Sequence, residues 1–303
     1  MSGKANSASP AGHRGIVGIL IGAGKDFSKD KCTLRAAALS YATIFALPPL
    51  LIVLIKLAGA LWSPEQIQHS IEGEFAALIG GDGAQAVHDM VTNASRTGHG
   101  WIATTYGIIG LALGATGEFL ALQGALNAVW GVAPDPKQGG VRRFLLKRLV
   151  SIAMTMGVAF LLVVSLAITA LLAALVHALG DVGWIIQVLN SLVALAALSV
   201  LFAAMFKFLP DAEIRWRSVW VGGIATAVLF EAGKFAIGLY LGQTNPGNAF
   251  GAARTFAVIL VWIYYAGILL LFGAEFTEHF AAARGHPVHP KSGAMWVADS
   301  RDR

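Results

Sequence analysis

Six apolar runs, each long enough to cross a bilayer, alternate with connections that are by turns rich in lysine and arginine and almost devoid of them. The runs are Ala36 to Leu61, Trp101 to Leu122, Leu149 to Leu175, Trp184 to Phe208, Val219 to Leu241 and Phe256 to Phe276. A hydrocarbon core about 30 Å thick needs about 20 helical residues to span it. Backbone polar groups inside lipid must find their partners within the segment, so these runs are expected to be helices. Composition agrees: 13% of the residues are charged and the mean hydropathy is +0.67, against about 25% charged residues in a soluble domain. Such a chain has too few polar atoms to cover itself in water.

The cations set the orientation. Before the first run stand Lys4, Arg14, Lys25, Lys29, Lys31 and Arg35, whereas the loop after it holds only Arg96. The next connection holds Lys137, Arg142, Arg143, Lys147 and Arg148, and the one around Asp181 holds none. Lys207, Arg215 and Arg217 follow, then Arg254 alone, then Arg284, Lys291, Arg301 and Arg303 in the tail. Cationic loops stay on the cytoplasmic side. The pattern predicts an all-α membrane protein, a six-transmembrane-helix bundle with N- and C-termini cytoplasmic. Pro48 and Pro49 predict a kinked first helix or a stretch of irregular backbone there. The first 30 residues contain no small-residue cleavage site after a short apolar core, so no cleavable signal peptide is expected.

Three regions follow. Residues 1–35 form a cytoplasmic segment in which Ile16, Ile19, Leu20, Ala23 and Phe27 make an apolar stripe beside Lys25 and Lys29, as in an interfacial helix. Residues 36–278 form the membrane domain, including an outer loop, 63–100, where two amphipathic helical patterns are separated by Gly80, Gly81 and Gly83. Residues 279–303 are expected to be a disordered cytoplasmic tail.

Within the second run a line of small residues, including Gly107, Gly110, Gly114, Gly117 and Gly124, recurs at spacings of three and four. Small side chains on one face let another helix approach closely, so this is a predicted helix-packing seam. Charges inside a bilayer are costly, about 2.5–3.5 kcal/mol each at a helix centre, and are functional by default. Glu231 falls mid-membrane, with Lys234 three residues on, on one face of the helix. The pair is either an internal ion pair or a proton or substrate site. Lys56 can snorkel to the outer interface. Glu118 and Glu275 lie nearer the cytoplasmic side and either face each other, face arginines, or join Glu231 in a path. Tyr41, Pro48 and Asn127 complete the candidate transport residues; Asn127 and Gln123, at i and i+4, are also suited to interhelical hydrogen bonds.

Enzymatic signals are absent. The eight histidines form no HExxH pattern, and the tail pair His286 and His289 is a weak metal signature. Gly22-Ala-Gly-Lys25 departs from a phosphate loop, with Ile19 and Asp26 where Gly and Ser or Thr belong. A single cysteine, Cys32, rules out an intrachain disulfide. The sequence therefore predicts no cofactor, no metal, no nucleic-acid partner and no catalysis.

Several segments together resemble the YihY/BrkB family of bacterial inner-membrane proteins. They are the run from Ala36 to Leu50, Leu122-Gln-Gly-Ala-Leu-Asn-Ala-Val-Trp-Gly131, Phe208-Leu-Pro-Asp211 followed by Arg215-Trp-Arg217, Val221-Gly-Gly, Gly233 to Gly242, Phe250-Gly-Ala-Ala253, Val261 to Tyr265, and Leu271 to Phe276. Arg254 stands where the family run has a further glycine. The resemblance implies a six-helix bundle in the bacterial inner membrane, linked to virulence or to movement of envelope precursors. A ribonuclease label attached to the family finds no metal ligands or acidic cluster here. The expected function is that of a transporter, permease or lipid flippase acting on a lipid or small anionic amphiphile. The alternative is a non-enzymatic scaffold for envelope assembly. Membrane lipids are the expected partners, and a homo-oligomer is compatible with the pattern.

Overall fold

The computed structural model describes residues 15–58, 117–135, 183–244 and 254–297. The outer loop 63–100, the third apolar run, most of the second, and the seam positions Gly107, Gly110 and Gly114 lie outside the described residues. Helix α1 spans Ile16–Lys29 and α2 spans Cys32–Ala58. Helix α3 covers 117–129. Strand β1 is Val132–Pro134, α4 is Gly183–Phe208, β2 is Ala212–Glu213, α5 is Trp216–Thr244 and α6 is Arg254–Ala283; β3, His289–Pro290, and β4, Ala294–Trp296, close the described chain.

Among the described residues, the fold is helical where the sequence is apolar. Among the described residues, α4 over Ser191–Phe208 and α6 over Ala257–Ala283 are long and apolar enough to cross a membrane. Helix α5 has 29 residues, about 43 Å at 1.5 Å per residue, which exceeds the hydrocarbon thickness. Val188, Leu192 and Val200 on α4 and Ile224 and Val228 on α5 are exposed. In water such a band would be a liability; against lipid tails it is the expected surface. Helix α2 continues through Pro48 and Pro49, so the expected irregular backbone does not interrupt it.

Helix α6 is the hub and packs against α1, α2 and α5, while α4 packs on α5. Cys32, Ala36, Leu39, Ser40 and Ile44 form the buried stripe of α2, all on one helical face, with Ala36 three and four residues from Leu39 and Ser40. On α3 and just past its end, the buried apolar set is Leu122, Ala125, Leu126, Val129 and Trp130. The Trp130 ring meets Phe206 edge-on at 6.0 Å. Two left-handed residues end helices here: Lys31, with φ 54°, turns α1 into α2, and Gly131, with φ 61°, stops α3.

Residues 279–297 correct the expectation of a disordered tail, and 298–303 lie outside the described residues. Helix α6 runs on to Ala283, and the chain beyond it pairs with the connections left by other helices. Strand β4 pairs antiparallel with β1, Val132 opposite Trp296, and β3 pairs antiparallel with β2, Ala212 opposite Pro290. Val288 joins the buried core and Trp296 packs against it. Lys291 Nζ donates to the carbonyls of Pro210 at 2.8 Å and Lys207 at 3.3 Å. Backbone groups exposed where α3 and α4 end need partners, and the tail supplies them. Helix α1, both strand pairs and the end of α6 therefore gather at one end of the bundle, with Lys29, Arg35, Lys207, Arg215, Arg217 and Arg284.

Candidate functional site

Near the middle of α5, Lys234 Nζ lies 2.7 Å from Glu231 Oε2. One helical turn brings the two side chains together, as the i, i+3 spacing requires. Both remain about a quarter exposed, 26% for Lys234 and 27% for Glu231. Glu231 Oε1 is shielded and meets no donor among the described residues. An aromatic wall flanks the pair: the Phe230 ring lies 5.7 Å from Trp262 and 5.8 Å from Phe202. Gly233 lets Tyr265 and Leu269 of α6 approach α5 closely.

The other carboxylates have partners that sequence spacing does not indicate. Glu118 reaches the Thr43 hydroxyl of α2, and its Oε2 meets no donor among the described residues. Glu275 is fully buried. Cys32 Sγ donates to its Oε1 at 3.6 Å, and Trp130 Nε1 donates to the Ala274 carbonyl at 3.2 Å. A cysteine thiol and a threonine hydroxyl are thus among the partners of these two carboxylates. Close by, His279 Nε2 lies 3.0 Å from Asp26 Oδ2, tying α1 to α6. Asp26, Glu275 and His279 hold potential ligand atoms within 4.8 Å of one another. Their short contacts form two internal pairs, Asp26 with His279 and Cys32 with Glu275. Glu275 and His279 share a face at i, i+4, the one signal in the sequence that could have marked this group.

Asn127 joins α3 to the segment that follows α4. Its Nδ2 donates to Asp211 Oδ2 at 3.0 Å while its Oδ1 accepts the Asp211 N–H at 2.8 Å. Gln123 Nε2 donates to the Leu209 carbonyl at 3.0 Å and lies 3.4 Å from Asp211 Oδ2. The Phe208-Leu-Pro-Asp211 segment is thereby clamped to α3. Tyr41 is exposed on α2, its ring 5.0 Å from Phe45. Pro48 lies within α2, and its side chain and that of Lys56 fall outside the described residues. The structure does not bring Tyr41 or Asn127 to the Glu231–Lys234 pair.

Of the expected glycine seam, Gly117 and Gly124 fall among the described residues. Among the described residues, no atom lies within 4 Å of a Cβ built on either. Gly124 sits about 200° around α3 from Leu122, away from the face that packs. Among the described residues, close approach occurs between α5 and α6. A Cβ on Gly222 would overlap Thr277 Oγ1, and one on Gly273 would overlap Thr226 Oγ1. Each threonine returns its hydroxyl to the glycine carbonyl one turn back on its own helix, at 2.7 Å in both cases.

Sequence comparisons agree with this architecture. A UPF0761 membrane protein of Methylibium petroleiphilum is 29% identical over 86% of this chain and 62% of its own length. One from Pseudomonas aeruginosa is 30% identical over 85% of this chain and 61% of its own, and one from Stenotrophomonas maltophilia is 28% identical over 86% and 60%. The chain thus spans about three fifths of the length of these relatives. No solved structure matches. The family model described as Virulence factor BrkB matches residues 23–294, a stretch that takes in every described helix from the C-terminal part of α1 onward. Together with the apolar helices and their lipid-suited surfaces, that match makes this chain an integral membrane protein of the Virulence factor BrkB family.

Proposed function

We propose that the protein is a non-enzymatic permease or lipid flippase of the bacterial inner membrane, with six spans and both termini in the cytoplasm. Its cargo in this reading is a lipid or small anionic amphiphile. The observation that carries the reading is the Glu231–Lys234 pair. It lies mid-helix, is held at 2.7 Å, stays a quarter exposed, and leaves one carboxylate oxygen without a donor among the described residues. A sealed ion pair would only staple the helix. A partly open one offers a proton acceptor and a cation where a polar headgroup must pass. Glu118, with its own undonated oxygen, supports a second polar step toward the cationic end. The uneven distribution of lysine and arginine supports placing that end in the cytoplasm.

The test is reconstitution into liposomes with fluorescently labelled phosphatidylglycerol, following its movement between leaflets across a pH range. Wild type is expected to move the probe with a pH dependence that Glu231→Gln abolishes. Equal, equally pH-dependent rates for both would remove Glu231 from the mechanism. The scaffold reading draws on a different observation, the interlocked Gly222–Thr277 and Gly273–Thr226 contacts, which suit a rigid bundle. It predicts no probe movement in wild type and a stable protein partner in detergent extracts.

A further inference from the structure

Between the α4–α5 connection and the end of α6 lies an open cleft of about 1030 Å³. Lys207, Arg215, Arg217, Arg284 and Lys291 line it against one carboxylate, Glu213. Cations scattered over separate loops would serve topology alone. Here four separate stretches of chain, the end of α4, the start of α5, the end of α6 and the tail, bring them into one concavity. Two of the five are committed to building it. Lys207 Nζ donates to the Ile214 carbonyl at 2.6 Å, and Lys291 Nζ donates to Pro210 and Lys207 carbonyls. Arg215, Arg217 and Arg284 are exposed and form no ion pair among the described residues. The Arg284 guanidinium rests 5.2 Å from the Phe280 ring centroid, which orients it without neutralising it.

The positive end of α5 opens onto the same space. The N–H groups of Ser218 and Val219 bond the Arg215 carbonyl at 3.0 and 3.1 Å. Trp216 and Arg217 precede them, at the end of the helix where dipole and N–H groups favour an anion. Depth is marked by aromatics: Phe208, Trp216 and Trp220 are exposed beside the cleft at 50%, 49% and 42%. Phe208 and Trp216 meet edge-on at 5.8 Å. Exposed tryptophans on spanning helices sit at headgroup level. An open cationic concavity at that level faces lipid phosphates, and planar guanidinium groups match phosphate oxygens in pairs.

We propose that this cleft binds the phosphate of an anionic lipid headgroup, with Arg215, Arg217 and Arg284 as its contacts and the start of α5 behind them. The site goes beyond the transport reading, since a scaffold would hold a headgroup equally well. The test is equilibrium binding to the purified full chain in neutral detergent. The probes are dioctanoyl phosphatidic acid, dioctanoyl phosphatidylcholine and inorganic phosphate. Wild type is expected to prefer phosphatidic acid over phosphatidylcholine. The doubly substituted Arg215→Gln/Arg217→Gln protein is expected to bind phosphatidic acid at least about tenfold more weakly, with phosphatidylcholine unchanged. Inorganic phosphate competing as well as the lipid would identify a soluble phosphate compound as the ligand and overturn the lipid assignment. Equal phosphatidic acid binding by wild type and variant would overturn the site. Should the double variant fail to fold, Arg284→Gln takes its place: weaker phosphatidic acid binding is expected, and undiminished binding would overturn the site.

Discussion

Thr277 of α6 lies against Gly222 of α5 so closely that no side chain fits on the glycine. The relation is repeated in reverse by Thr226 and Gly273, one turn along. Lipid tails are as apolar as leucine, so helix association in a bilayer relies on such close van der Waals contact. Threonine is stiff at χ1, and the Thr277 hydroxyl is held by the Gly273 carbonyl at 2.7 Å. It has little freedom to yield.

Gly222→Ala is therefore expected to destabilise the protein by about 1–3 kcal/mol, read as a lower thermal unfolding midpoint in detergent. Gly124→Ala, on an open helix face, is expected to stabilise it by up to about 1 kcal/mol. The same substitution should thus act with opposite sign at two glycines. Equal effects would contradict the α5–α6 packing.

Asn127→Ala removes both a donor to Asp211 Oδ2 and the acceptor of the Asp211 N–H. All these groups are buried, so the expected cost is about 1–3 kcal/mol. Gln123→Ala, whose contact with the same carboxylate is longer at 3.4 Å, should cost less. Thermal unfolding of the two variants side by side checks the order.

The paired tail should resist proteolysis. The Lys291 N–H donates to the Asp211 carbonyl at 2.8 Å and its side chain is bound to two further carbonyls. Trypsin is expected to cut after Lys291 only as fast as the protein unfolds, as mass spectrometry of the fragments will show. Truncation after Gly285, which removes Val288 and Trp296 from the core, should lower the unfolding midpoint. Rapid cleavage at Lys291 in the folded protein would restore the disordered tail.

Glu231 and Lys234 should be coupled. Lys234→Met leaves a carboxylate in a low-dielectric setting and is expected to cost about 2–3 kcal/mol, with the double substitution Glu231→Gln/Lys234→Met costing less than that single one. A double-mutant cycle in thermal stability measures the difference. Additive effects would mean that the two charges act separately.

Sequence and structure agree where the governing physics is local. The apolar runs from Trp184, Val219 and Phe256 lie within α4, α5 and α6, because length and apolarity alone make a lipid-soluble helix. Glu231 and Lys234 are legible as a pair because three residues separate them on one helix. Asn127 is legible as a hydrogen-bonding group but its partner is not, since Asp211 lies 84 positions further along the chain. The links Asp26–His279 and Cys32–Glu275, separated by 253 and 243 positions, carry no sequence period at all. Spacing in the second apolar run defines a glycine face as geometry, yet a face does not name its partner. The tail's order is hidden from composition, because its short strands are stabilised by unpaired backbone at the ends of α3 and α4.

In the proposed topology both ends of the chain lie on the cytoplasmic side, and the depth of every buried charge follows from that. Ser28 on α1 and Ser292 in the tail are exposed, and Cys32 is buried. Single cysteines placed by Ser28→Cys or Ser292→Cys in a Cys32→Ser background can be probed with a membrane-impermeant maleimide in intact spheroplasts. Both positions are expected to stay unlabelled until the membrane is permeabilised, and then to label together. Labelling of either one from outside would contradict the orientation, and with it the depth given to Glu231 and the leaflet given to the cationic cleft.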